Sequence, residues 1–162
     1  MMNFLSIFSA LNREKVRYLV VGGVAVNLYG IERATADIDL VVDLQDNNLN
    51  KFIATMKELG LKPKIQVRLD EFANKEIREL WIKEKNITVF SLFDPKNPFF
   101  LLDIFVEMPF NFQNVYQMRE KMRAGKIVIP VVSVKTLIKM KEHSKRPQDA
   151  ADIFYLKKIV KE

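Results

Sequence analysis

Cysteine is absent from this 162-residue chain, and histidine and tryptophan occur once each, at His143 and Trp81. Without thiols there are no disulfides and no Cys-ligated zinc, which fits a reducing cytoplasm. A lone histidine rules out His-rich metal sites and argues against a His-based triad; His143 is expected on a helix surface and Trp81 as a core anchor. Long hydrophobic runs are missing too. The longest charge-free apolar stretch, 18–31, contains Gly22, Gly23, Asn27 and Gly30 and falls short of the roughly 20 residues that span a membrane. Met1 to Leu11 is mildly apolar but lacks a basic leading region and a small-residue cleavage site. A soluble, cytoplasmic protein with no membrane contact is expected. Three nucleotide and metal signatures are also absent. There is no G-x-x-x-x-G-K-[ST] phosphate loop and no G-x-G-x-x-G dinucleotide fingerprint. The acidic run fails as an EF-hand because Val41 stands at the third ligand position and no glycine follows.

What is present is enough for a core. Hydrophobic residues make up 49% of the chain and charged residues 28%, so disorder is excluded and one compact domain over residues 1–162 is expected. The net charge of +6 comes from lysines spread along the chain. It is read first as a solvated surface, with a nucleotide or RNA as the anionic partner it would favour.

Periodicity orders the elements. Asn3 to Glu14 has apolar residues at helical spacing (Phe4, Ile7, Phe8, Leu11). Arg17 to Val21 is a buried strand breaking at Gly22-Gly23, and Val24 to Tyr29 is a short helix closed by Gly30. Asp37 to Asp43 is a second strand, and Asn48 to Leu59 a helix ending at Gly60. Lys64 to Leu69 is a candidate short strand, with Asp70 as N-cap of a polar helix to about Lys83. Ile87 to Phe93 and Phe99 to Val106 are strands across an Asp-Pro-Lys-Asn-Pro turn. Asn111 to Gln117 is ambiguous. Lys126 to Val132 contains Pro130 and is therefore expected at a sheet edge. Ser133 caps a helix to about His143, and Pro147 opens a last one to about Val160. The class is α/β (α+β): a small mixed β-sheet flanked by helices, with a core over about 17–132 and a C-terminal helix pair over 133–162.

The chemistry concentrates in Val21 to Asp43. Residues two apart on a strand share a face, so Asp37 and Asp39 point the same way while Ile38 enters the core. Like charges held that close are costly unless a cation lies between them, and hard oxygen ligands suit Mg²⁺ or Mn²⁺. Asp103 is the one acidic residue in an otherwise apolar strand, where an unpaired charge is expensive. If the two strands are neighbours, three carboxylates converge. The alternative is that Asp37 caps a turn, Asp39 faces solvent and Asp103 lies on an exposed sheet face. Gly22-Gly23, ending a strand before a helix, lets the backbone approach a phosphate closely; taken alone the pair is also an ordinary tight turn.

Taken together, Val21-Gly22-Gly23, Asp37-Ile38-Asp39-Leu40 and Leu102-Asp103-Ile104 resemble the DNA polymerase β-like nucleotidyltransferase superfamily. The helix pair 137–153, reading Leu-Ile-x-x-Lys … Arg-Pro-x-Asp-x-x-Asp-Ile, is similar to the bacterial AbiEii-like branch and its small relatives. The resemblance implies a nucleotidyltransferase fold and transfer of a nucleoside monophosphate from a nucleoside triphosphate to a hydroxyl of RNA or protein, within a toxin–antitoxin pair. It implies Asp37, Asp39 and Asp103 as catalytic metal ligands, with Asp103 also helping to activate the acceptor hydroxyl, and Gly22 and Gly23 as a phosphate cradle. Arg33 and Thr35 match the Arg-x-(Ser/Thr)-x-Asp segment as triphosphate contacts; otherwise they are a loop arginine and a strand-start threonine. Lys141 matches the family lysine as a phosphate contact, its alternative being a solvated helical lysine. Asp149 and Asp152 match the Asp-x-x-Asp pair or else cap and solvate the last helix, and Arg146 pairs with Asp149 or touches a ligand. Minimal nucleotidyltransferases carry Gly-Ser where this chain has Gly22-Gly23. The missing hydroxyl leans toward the AbiEii-like branch and leaves room for a non-catalytic nucleotide- or protein-binding module that works through a partner protein.

Overall fold

The computed structural model describes residues 3–161. Among these the order is α1 (Phe4–Arg13), β1 (Tyr18–Val21), α2 (Gly22–Leu28), β2 (Asp37–Val42), α3 (Asp46–Glu58) and β3 (Lys62–Pro63). A 3₁₀ turn (Leu69–Ala73), α4 (Lys75–Lys85), β4 (Val89–Asp94), β5 (Asn97–Phe105) and α5 (Phe112–Gln117) follow. The chain ends in β6 (Glu120–Ala124), β7 (Ile127–Val131), α6 (Val134–Ser144) and α7 (Pro147–Lys161). The strands form one seven-stranded sheet in the order β3-β4-β5-β2-β1-β7-β6. Two neighbours, β2–β5 and β1–β7, are parallel and the rest antiparallel, so the sheet is mixed as its pattern predicts.

Side-chain alternation sets the two faces. On β2 and β5, Ile38, Leu40, Leu102 and Ile104 are fully buried, while the intervening aspartates are only half-buried. Phe90 of β4 is opposite Ile104 and therefore shares the core face. There its ring stacks on Phe72 of the 3₁₀ turn at 5.0 Å and on Trp81 of α4 at 5.2 Å. Trp81 is thus the core anchor expected. Burial of aromatic rings this large is among the strongest contributions any side chain makes, roughly 2–3 kcal/mol each. The consequence for function is directional: α4 and the 3₁₀ turn seal one face under β4 and β5, and the opposite face keeps the aspartates.

Three expectations need correction and one open reading is settled. The strand expected over 64–69 lies earlier, at Lys62–Pro63, because Leu69 already belongs to the 3₁₀ turn and is buried by it. Asp70 is not the cap of the polar helix; Asn74 is, its side chain accepting from the Ile77 amide at 3.0 Å. The ambiguous segment is a helix, capped by Asn111. The Pro130 strand is not an edge: β7 lies between β1 and β6. Proline is tolerated because β7 meets β1 at a single register position, Val20↔Val131, so the missing N–H interrupts no long ladder. The edge is β6, unforeseen in the sequence, joined to β7 by a two-residue turn in which Gly125 takes φ +63°. That left-handed geometry is nearly free for glycine.

One buried polar residue ties β1 to β2 and α3. Asn48, fully buried, accepts from the Arg17 amide at 2.8 Å and donates to the Arg17 and Asp43 carbonyls at 3.0 and 2.8 Å. Asn48→Ala leaves those backbone groups unsatisfied and is expected to lower unfolding free energy by about 2–3 kcal/mol; urea denaturation measures it, and a loss under about 0.5 kcal/mol, typical of surface positions, would contradict the assignment.

Candidate active site

The parallel pairing of β2 with β5 sets Asp39 directly opposite Asp103. In-register residues of neighbouring strands share a face, so both carboxylates stand on the face turned away from Phe90. Asp37 stands one pleat further along the same face, opposite Leu101. Asp39 and Asp103 line a cleft of about 620 Å³ that runs between this sheet face and α6, with Gly22 at one end. The electrostatics follow from this placement. Burial, and then the negative charges of Asp103 and Asp37, push the Asp39 carboxyl up to about 7, against the opposing pull of Arg146 and Lys141. Asp37 is raised in the same direction by burial and by Asp103, with Lys64 pulling the other way.

Ser91 of β4 was not expected from the sequence. It is the register neighbour of Asp103 on the side away from Asp39, and its hydroxyl donates to Asp103 Oδ1 at 2.6 Å. One oxygen of Asp103 is thereby fixed and the other left for the cleft. A signal did exist: Ser91 is the single polar residue in Val-Phe-Ser-Leu-Phe, out of phase with buried Phe90 and Leu92.

Both glycines serve close approach, though toward side chains. Gly22 opens α2 at φ +69°, and a Cβ there would collide with the Asp39 carboxylate. At Gly23 a Cβ would run into the Arg33 guanidinium and lie 2.7 Å from Thr35 Oγ1. The paired glycines therefore let Asp39, Arg33 and Thr35 press against the start of α2. The Thr35 hydroxyl donates to the Asp37 carbonyl at 3.3 Å, steadying the entry to β2, and Arg33 Nε pairs with Asp152 of α7 at 3.3 Å.

Lys141 is neither solvated nor free. It is 3% exposed, with Nζ 2.9 Å from Asp152 Oδ2 and 3.5 Å from Asp149 Oδ1. Asp149 is buried as well, so the solvated reading of these three residues is overturned. Burial opposes ionisation of Asp149, but hydrogen bonds from the Ser144 hydroxyl and the Arg146 amide, together with the Lys141 and Arg146 charges, outweigh it and hold its carboxyl below the usual range. Arg146 Nε also lies 3.6 Å from Asp149 Oδ2. The network clamps α7 to α6 and, through Arg33, to the segment before β2. His143 is on the exposed helix surface expected, at the cleft rim.

Among the described residues no three Asp, Glu, His or Cys side chains are gathered into a ready-made metal cage. The donor set nevertheless suits a hard divalent cation in kind: two carboxylates in register, a third one pleat away, and mutual repulsion that such a cation would cancel. No helix among the described residues is long and apolar enough to cross a membrane.

A mixed sheet with a strand-to-helix glycine pair beside in-register aspartates defines a protein of the nucleotidyltransferase class, and similar solved structures agree on the fold. The lincomycin-bound lincosamide antibiotic adenylyltransferase LnuA superposes with a TM-score of 0.60 at 22% identity, covering 93% of this chain and 92% of that one. A putative nucleotidyltransferase from Thermotoga maritima gives 0.56 at 16% identity over 96% and 88%. ANT(2'')-Ia in complex with adenylyl-2''-tobramycin gives 0.57 at 14% over 93% and 82%. No curated protein matches the chain by sequence. The family model for the nucleotidyl transferase AbiEii toxin of a type IV toxin–antitoxin system matches residues 6–160. The chain belongs to this AbiEii family and is a nucleotidyltransferase.

Two outcomes follow. In its ordinary state an aspartate titrates near 3.8, so between about pH 4 and about pH 7 native Asp39 holds a proton that the unfolded chain has lost. Stability from this group is full below about pH 4 and is lost as pH rises through about 7. Chemical denaturation in chelator should show that decline, and Asp39→Asn should flatten it; an equal slope in both proteins would contradict the reading. Lys141→Met removes the cation from two buried carboxylates and is expected to destabilise by about 3–5 kcal/mol, measured by urea denaturation; a neutral result would mean the network is not buried in solution.

Proposed function

We propose that this chain transfers a nucleoside monophosphate from a nucleoside triphosphate to a hydroxyl of an RNA or protein, with Asp37, Asp39 and Asp103 as its essential carboxylates. The supporting observation is the Asp39↔Asp103 register on two parallel strands, which puts one acidic pair at the floor of a cleft that begins at Gly22. Asp37, Asp39 and Asp103 would hold Mg²⁺ or Mn²⁺, which supplies neutralisation of phosphate charge when bound.

The remaining roles fall to the chain itself. The start of α2 carries Gly22 and Gly23, against which Asp39, Arg33 and Thr35 pack, so a phosphate approaching there would meet those side chains and a cation held on Asp39. Arg33, whose guanidinium packs on Gly23, and Thr35 flank that approach, and Arg33 reaches a triphosphate by loosening its pairing with Asp152. Lys141 lines the cleft and adds positive potential from a fixed, buried position. Asp103 keeps one oxygen on Ser91 and offers the other to the acceptor. There the acceptor oxygen bonds to the α-phosphorus, its proton passes to Asp103, the bond from that phosphorus to the β-phosphate oxygen breaks, and pyrophosphate leaves. Catalysis of such a step is mostly positioning and charge compensation. The toxin–antitoxin setting of the family implies an antitoxin partner. A cytoplasmic location is the compartment where triphosphate and acceptor would meet.

The test is transfer of label from each α-³²P nucleoside triphosphate, with Mg²⁺, to macromolecules of a cell extract. Wild-type protein should label a product, and Asp39→Asn or Asp103→Asn should abolish it. Ser91→Ala should reduce it about 10–100-fold, as loss of an orienting hydrogen bond to a ligand carboxylate does. Undiminished labelling by Asp39→Asn would overturn the proposal; a nucleotide-induced rise in melting temperature with no labelled product would favour the non-catalytic module.

A further inference from the structure

The cleft extends well past the carboxylates, and its far end is chemically unlike the near one. Phe105 follows Asp103 by two residues and so shares its face of β5, and Val89 of β4 is the register partner of Phe105. Met108, Leu137 and Met140 add apolar lining to the same cleft, which Thr88 and the exposed Glu107 also line. Phe105 is only half-buried, and among the described residues its ring stacks on no other aromatic side chain. An aromatic face left open toward a cleft, with apolar walls, is a place for a flat ring.

The sheet decides which flat ring. Across it, the order β4-β5-β2-β1 puts Gly22, at the end of β1, on one side of the Asp39–Asp103 pair and the Val89–Phe105 slot on the other. Along the strands the two are also opposed. Val21 is opposite Asp39 in an antiparallel pair, so Gly22 lies toward the Asp37 end of β2, whereas Phe105 lies beyond Asp103 in the opposite direction. Phosphoryl transfer requires the attacking and leaving oxygens to be roughly in line through phosphorus. With the leaving pyrophosphate at the glycines, the attacking oxygen must come from the slot.

We infer that the slot at Phe105 and Val89 is the acceptor subsite and that it takes a flat aromatic or heteroaromatic ring carried by the acceptor. This rests on the transfer reading above, including the phosphates at Gly22 and Gly23. The geometry also fixes a spacing. Two residues of strand separate Asp103 from Phe105, about 7 Å, so the ring is joined to the reacting hydroxyl through intervening saturated atoms. A phenol, whose hydroxyl sits on the ring itself, is too short.

The experiment compares wild type with Phe105→Leu, which keeps apolar volume but removes the ring, and with Phe105→Trp, which keeps a ring. Two quantities are read: the melting-temperature rise with MnCl₂ and each nucleoside triphosphate, and label transfer against increasing amounts of cell extract. Phe105→Leu should keep the nucleotide-induced rise and need about tenfold more extract for half-maximal transfer, the scale of one lost ring-stacking contact. Phe105→Trp should stay within about threefold of wild type, which excludes a folding defect as the cause. An equal loss of the nucleotide-induced rise in Phe105→Leu would place the nucleobase in the slot and overturn the assignment, as would an unchanged extract dependence or label recovered on a tyrosine oxygen. Wild-type protein that labels nothing would overturn the transfer reading, and this subsite with it.

Discussion

Repulsion between two carboxylates, Asp39 and Asp103, is the constraint around which the site is organised. Parallel pairing of β2 with β5 brings them level, and neither position can relax by turning to the other face without exposing the core row Ile38, Leu40, Leu102 and Ile104. A strand slip of one residue would exchange the two faces wholesale. The buried hydrophobic row therefore holds the charges together. The apolar packing on Phe90, Phe72 and Trp81 makes that register the only one that fills the core, and the unfavourable charge proximity is a by-product of it. Burial first, and this charge proximity second, raise the Asp39 carboxyl, and the electrostatic part is of the kind a divalent cation relieves.

Around this pair the chain handles polarity in two different ways. Near the glycines, side chains are absent so that Asp39, Arg33 and Thr35 can crowd the start of α2. At the α6–α7 seam, charges are buried and cross-paired: Lys141 with Asp149 and Asp152, and Asp152 again with Arg33. The Asp149 Oδ1 atom is sealed from solvent without a hydrogen bond, which marks the network as under-satisfied. Buried ionic groups of this kind add little net stability compared with apolar packing, but removing one partner is costly. Their effect is to fix how α7, α6 and the segment before β2 sit relative to one another, and hence where Arg33 lies beside Gly23.

Much of this was legible in the sequence because it is local. The two-residue spacing of Asp37 and Asp39, the isolated acid in Phe-Phe-Leu-Leu-Asp-Ile-Phe-Val, and the glycine pair after Arg-Tyr-Leu-Val-Val each carry their own periodicity. What escaped was set at long range. Ser91 acquires meaning only once β4 is paired with β5. Lys141 is singled out as a candidate phosphate contact, but its burial and pairing are visible only once Asp149 and Asp152 arrive from the next helix. The strand β6 (Glu-Lys-Met-Arg-Ala) is charged and hardly alternates, as suits an edge, and so gave no strand signal. Pro130 was misplaced for the converse reason: proline marks a missing donor, and whether that donor is needed depends on how far β1 runs alongside.

The central claim is that Asp39 and Asp103 act as one divalent-cation site. Its most direct test is Mn²⁺ binding followed by electron paramagnetic resonance, comparing wild type with Asp103→Asn and with Asp149→Asn, which alters acidity away from the strand pair. The account predicts that wild type and Asp149→Asn deplete the free-Mn²⁺ signal alike while Asp103→Asn does not; depletion undiminished in Asp103→Asn would contradict it.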